Sequence, residues 1–361
     1  MPKVYLPFKD WPQRDQNSWL ATIQDGDILE GRGLAFHWAT ATRKTNIQHY
    51  SRWLGFLKYQ DLLEARKDPA SRVTQETVTA YVSAMKTAIA PRTVVSSLVG
   101  LKVMMKAMAP DQNWRWLADM CNRLNRNAKP TKDKRSSMLS STQIYRTAIK
   151  RLRALSKTDL SKRTQIVGFR NCLMLALMTA CPLRLKNFSS LRIGRNFTKI
   201  ENGWLIKIPG AEVKNGQPMT FEVPKPLLIF VECYLERVRP RIANASEGAL
   251  WVAWDGTRLK YHSTYIAFTR ITTELFGRAI NPHLLRDCAA TTMASESYAG
   301  ALAARGLLGH KRFSTTEKFY IHAKQLEASR RINTVLASRS ANAAKQKSDL
   351  VPTVDIRHVD S

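Results

Sequence analysis

NPHLLRDCAATTMASESYAGALAARGLLGHKRFSTTEKFYIH, residues 281 to 322, gathers several chemistry-bearing residue types in one stretch of a 361-residue chain. His283 and Arg286 stand three apart behind Asn281-Pro282. Asparagine caps a helix and proline suits its first position, so the pair shares one helical face and can reach one phosphate together. Further on, Gly309 precedes His310, and Ser314 followed three later by Glu317 forms a capping-box pattern. That pattern starts a short helix before Tyr320, with Thr315 and Thr316 in its first turn. Arginine presents a planar fork matched to phosphate oxygens, histidine trades protons near neutrality, and a tyrosine hydroxyl serves as a nucleophile once its oxyanion is stabilised. The residues point to phosphate-directed chemistry.

The rest of the chain agrees with an anionic partner. Lys plus Arg total 57 against 28 Asp plus Glu, a formal net charge of +29, and a long duplex fits such a charge best. A hydrophobic fraction of 44% supports a substantial core, and the length accommodates two or three domains. No uninterrupted apolar run of about 18 residues occurs. Asp10, Arg14 and Asp15 interrupt the place where a secretory leader would need its apolar segment. The expectation is a soluble protein of the cytoplasm, associated with the nucleoid and its DNA, with no membrane partner. The five cysteines, Cys121, Cys172, Cys181, Cys233 and Cys288, form no close C-x-x-C pair and read as buried thiols, so no metal site is expected. Without a Walker or Rossmann glycine pattern, ATP-driven chemistry is disfavoured.

Read in order, residues 1–35 form an irregular N-terminal arm, punctuated by Pro7, Pro12, Gly26, Gly31 and Gly33. Residues 36–127 form a small helical domain, with helical spacing over about Thr42 to Leu63, Thr74 to Ala88, Arg92 to Met108 and Trp114 to Leu124. Arg43, Lys44, Arg52, Lys86, Arg92 and Lys102 are its candidates for phosphate contacts. Residues 128–139 are polar and basic around Pro130 and form an interdomain linker, in which Lys132, Lys134 and Arg135 can follow a DNA backbone. Residues 140–332 form a second domain. It opens with a helix at about 140 to 155, followed by the apolar helix Phe169 to Ala180, too short to span a bilayer and suited to a core. Pro182 turns the chain, so Arg184 emerges from a rigid base. Trp204, Ile206 and Ile208 alternate as a strand, and Asn215-Gly216 signals a turn to a second antiparallel strand at Met219 to Val223, with Lys214 beside the turn. An apolar helix to about Val238, a short strand in GALWVAW (248 to 254) and a helix over 261 to 275 complete the approach to His283. Residues 333–361 are ambiguous between a disordered tail and a segment exchanged with a neighbouring protomer.

Taken together, these motifs make the chain resemble the tyrosine recombinases, the phage-integrase family of DNA breaking and rejoining enzymes, over residues 36 to 332. ACPLRLKNFSSL matches the family's T-G-x-R-x-x-E-like motif at Arg184, EVKNGQP its hairpin lysine at Lys214, and HLLR its H-x-L-R motif at His283 and Arg286. LLGH matches at His310, and YIH, after Thr315-Thr316, at Tyr320. Pro182 stands where glycine is usual, Asn187 where an acidic residue is usual, and Asp287 where histidine is common. Tyr320 follows His310 by ten, one more than the commonest spacing, and Phe319 occupies the shorter one.

The resemblance implies a mainly α fold: an N-terminal helical core-binding domain and an α+β catalytic domain with a small antiparallel sheet. It implies a catalytic set of Arg184, Lys214, His283, Arg286, His310 and Tyr320, with no cofactor and neither metal nor ATP required. Its partners would be double-stranded DNA with paired recombination sites and a homotetramer on the synapsed DNA, compatible with accessory DNA-bending or directionality proteins. Integration or excision of a mobile element is the leading expectation. Two other functions would draw on the same features: a topoisomerase-like enzyme that relaxes one duplex, and a catalytically silent, sequence-specific DNA-binding protein.

Overall fold

The computed structural model describes residues 4–26, 31–128, 138–213, 216–242 and 248–296. The chain divides into two compact units, Met1–Asp133 and Lys134–Ser361.

The first unit is helical. Helices α1 (Gln13–Ile23), α2 (Thr40–Tyr59), α3 (Gln75–Lys86), α4 (Pro91–Met108) and α5 (Arg115–Asn127) enclose a core rich in aromatic rings, among them Tyr50, Trp53, Phe56 and Tyr81. Local signals set the helix starts. Thr74 and Thr77 cap α3 reciprocally, each hydroxyl accepting from the other's backbone amide at 3.1–3.2 Å, and Pro91 occupies the first position of α4. Residues 1 to 35 are not an irregular arm throughout. They carry α1, and Trp11 and Trp19, 3% and 2% exposed, enter the core of this unit. A buried ion pair fastens α1: Arg72 donates to one Asp15 oxygen, while the Tyr50 hydroxyl donates to the other at 2.6 Å.

The second unit is built on α7 (Arg163–Ala180), of which residues 169 to 179 are buried without a break. Around it lie α6 (Ser141–Ser156), α10 (Tyr261–Phe276) and α11 (Pro282–Glu296), with α8 (Leu185–Ser189) and α9 (Lys225–Cys233) as the further α-helices among the described residues. Three antiparallel strands, β1 (Phe197–Ile200), β2 (Gly203–Ile208) and β3 (Met219–Glu222), form one sheet in the order β1-β2-β3. Alternation places Trp204, Ile206 and Ile208 of β2 toward the core, and Phe197 stacks on Trp204 with ring centroids 4.8 Å apart. The fold is thus mainly α with a small antiparallel sheet in the second unit.

Some local expectations change. β2 and β3 pair with Ile208 opposite Met219, so the connection spans 209 to 218 and contains, besides Gly216, a 3-10 turn at Gly210–Glu212, while Lys214 and Asn215 lie outside the described residues. Strand β1 adds a third member to the sheet. GALWVAW makes isolated bridges, Arg192 with Ala249 and Val252 with Arg258, and joins no strand ladder. Its apolar residues are buried by packing instead, with Trp251 1% exposed between Phe188 and Tyr234.

Candidate active site

The site begins where α7 ends. Cys181 donates its backbone N–H to the Leu177 carbonyl at 2.7 Å, and the Leu183 N–H donates to the Cys181 carbonyl at 2.7 Å across Pro182. A three-residue turn of this kind needs the negative φ that proline already holds, which gives Pro182 a local role in the glycine-like position. Two residues later, Arg184 sits in extended conformation at the head of α8, and its carbonyl accepts from the Phe188 N–H at 3.0 Å. Phe188 is wedged against Trp251 and Phe268, with centroids 5.2 and 5.6 Å away, so the short helix behind Arg184 is anchored in the core. Buried Arg170 of α7 holds the same neighbourhood together by donating to the Val252 carbonyl at 2.6 Å.

Helix α11 supplies the other two residues. Asn281 caps it, its side-chain oxygen accepting from the Leu284 N–H at 2.9 Å, with Pro282 next in the chain. His283 lies in the first turn and is exposed, whereas Arg286, one turn on, is 5% exposed. Leu285 and Cys288 bury the inner face and hold the helix to the core. The Arg286 guanidinium donates to the Pro182 carbonyl, which brings α11 against the chain segment leading to Arg184. Burial, reinforced by the nearby Arg184 charge and opposed by Asp287, pulls the Arg286 pKa down to about 10. It remains a cation at neutral pH. Two arginines and the positive end of a 15-residue helix therefore meet in one region, an arrangement suited to an anion with several oxygens.

Of the residues expected to act, Arg184, His283 and Arg286 are brought into this region. Lys214, His310 and Tyr320 lie outside the described residues, as do Lys132, Lys134 and Arg135. In the first unit, Lys44, Arg52, Lys86 and Arg92 are exposed and Lys102 is half-buried. Arg92 also donates to Asn125 at 2.8 Å, and Arg43 is partly turned inward, donating to the Phe36 carbonyl. Two participants have no signal in a side-chain pattern: the Pro182 carbonyl, which holds Arg286, and the Glu212 carbonyl, which accepts from Asn187 Nδ2 at 3.1 Å. Among the described residues no group of three or more His, Cys, Asp or Glu side chains is placed to hold a metal ion, and no helix is long and apolar enough to cross a membrane.

Comparison with curated proteins finds no match. Among solved structures, the fold is similar to the site-specific recombinase XerH bound to its difH substrate in a pre-cleavage complex, at 15% identity and a TM-score of 0.53, covering 80% of this chain and 79% of that one. It is also similar to XerH bound to a palindromic difH substrate in a post-cleavage complex, at 12% identity and a TM-score of 0.55, covering 90% of this chain and 98% of that one. At these identities the likeness is one of fold. The family profile described as the phage integrase family matches residues 142–327, more than half of the chain and the span that contains Arg184, HLLR, LLGH and Tyr320. The chain belongs to the phage integrase family, the tyrosine recombinases that cleave and rejoin DNA strands.

Proposed function

We propose that the chain is a site-specific DNA recombinase that works through a covalent 3′-phosphotyrosyl intermediate, in the integration and excision of a mobile element. The observation that carries this reading is the meeting of Arg184 and Arg286, one anchored by Phe188 and the other by the Pro182 carbonyl. Rigid cations cost little reorganisation when charge develops on a phosphate, which is what transition-state stabilisation requires.

In the proposed step, the Tyr320 oxygen forms a bond to the scissile phosphorus as its proton passes to His283. The bond from phosphorus to the 5′-oxygen breaks, and Lys214 protonates the leaving 5′-oxygen to give a 5′-hydroxyl. Arg184 and Arg286 clamp the nonbridging oxygens, and His310 orients the phosphate by a hydrogen bond. The ester conserves the bond energy, so attack by a 5′-hydroxyl reverses the step and joins either the original or a new partner. Exchange of partners calls for double-stranded DNA with paired sites and a homotetramer on the synapse, acting in the cytoplasm on the nucleoid, with accessory DNA-bending or directionality proteins as further partners.

Arg184→Ala tests the clamp. Single-turnover adduct formation on a nicked suicide duplex is expected to fall by about a hundredfold or more, while affinity for the same duplex changes by less than about threefold. A nearly normal rate of adduct formation rejects the role of Arg184.

A further inference from the structure

Asn187 takes no part in the proposed bond changes, yet it lies three residues after Arg184 in α8 and only 5% of its surface is exposed. Its Nδ2 donates to the Glu212 carbonyl at 3.1 Å. A carbonyl oxygen can only accept, so the nitrogen and not the oxygen of the amide must face it. Glu212 ends the 3-10 turn Gly210–Glu212, which is closed by the Glu212 N–H donating to the Pro209 carbonyl at 2.9 Å. Two residues beyond Glu212 in the sequence comes Lys214. A second tie to the same turn, Arg195 to Glu212 at 2.6 Å, is open to water and contributes little. The buried amide is therefore the firmer strut between the helix headed by Arg184, itself wedged by Phe188, and the turn that leads to Lys214.

The residue type matters. An ionised carboxylate at this position offers lone pairs alone, so it would meet the Glu212 carbonyl with repulsion and leave a buried acceptor unsatisfied. We propose that Asn187 is a positioning residue: its amide sets the turn leading to Lys214 against the helix headed by Arg184, and it acts as a donor that a carboxylate does not replace. The inference rests on the recombinase reading, in which the phosphorus to 5′-oxygen bond breaks with its electron pair on that oxygen and Lys214 supplies the proton. Moving the turn slows proton delivery and leaves the arginine clamp in place.

The experiment compares two suicide duplexes in single-turnover adduct formation by the full-length chain, one with the ordinary 5′-oxygen at the scissile bond and one with sulfur in its place. A thiolate leaves without a proton, so the sulfur duplex bypasses Lys214. Asn187→Asp is expected to bind both duplexes normally, to form adduct at least ~tenfold more slowly than wild type on oxygen, and to stay within ~twofold on sulfur. Asn187→Ala, which removes the donor without adding a charge, must show the same preference and carries the test should the aspartate variant fail to bind DNA. Lys214→Ala must likewise recover on sulfur. A wild-type chain that forms no adduct, or a Lys214→Ala defect that sulfur leaves untouched, overturns the reading beneath the inference. Equal losses on both duplexes, or no loss, in the Asn187 variants beside a rescued Lys214→Ala overturn the inference alone.

Discussion

Arg286 is a charge held where water does not reach it freely. The fall of its pKa from the ordinary arginine value to about 10 corresponds to a net cost of roughly 3 kcal/mol from burial and the nearby Arg184 charge, less the pull of Asp287, and the charge-assisted bond to Pro182 helps to hold it there. The sign follows from linkage: below about pH 10 the unfolded chain holds this proton more tightly than the folded one, so the cost is present throughout the neutral range and is relieved as pH rises through the folded value. Arg286→Met removes the titration. Urea midpoints measured at about pH 8 and about pH 10.5 are expected to show wild type gaining stability relative to this variant as pH rises. A constant difference between the two pH values contradicts a desolvated Arg286. On the proposed mechanism the same variant is expected to keep DNA binding and to lose about a hundredfold or more in adduct formation, because one phosphate donor would be gone. HLLR disclosed Arg286 as a residue. The Pro182 carbonyl that holds it was not legible, because a backbone acceptor leaves no trace in side-chain identity.

At the scale of elements, legibility follows how each segment is buried. α7 reads directly from its apolar run, and α11 from its Asn281-Pro282 start, since both signals are local. α1 was obscured because Pro12 looks like loop punctuation and its buried residues are Asp15, Trp19 and Thr22, two of them polar. A buried aspartate becomes intelligible only when Arg72, 57 residues away, is seen to pair with it. β1 has four residues and one buried side chain, Phe197, too few for alternation to show. Conversely, GALWVAW has the composition of a strand but is held by ring packing around Trp251 rather than by a ladder. The Asp15 network makes α1 part of the first unit's stability. Asp15→Ala leaves Arg72 buried without its carboxylate and is expected to lower the unfolding free energy by about 3–5 kcal/mol. Deleting residues 1–24 is expected to abolish the cooperative unfolding transition of this unit, followed by circular dichroism during urea titration. Preservation of that transition in the deletion contradicts the assignment of α1 to the core.

At the scale of the molecule, charge and chemistry separate cleanly. A net charge of +29 supports affinity for phosphates in general and makes it salt-dependent, but it specifies no bond to break. The proposed chemistry draws on residues scattered from Arg184 to Tyr320, which composition alone does not connect. The family motifs linked them, and the packing of α7, α8 and α11 explains how Arg184, His283 and Arg286 reach one region. The extra residue between His310 and Tyr320 keeps the identity of the nucleophile as the central claim, because Phe319 holds the commoner spacing and has no oxygen to attack with. The most direct measurement is covalent trapping on a suicide duplex by wild type and Tyr320→Phe, with binding to the same duplex followed in parallel. The account predicts a wild-type adduct that survives denaturation and maps by peptide sequencing to Tyr320, with no adduct and nearly unchanged binding for the phenylalanine variant; an adduct of equal yield from Tyr320→Phe would contradict it.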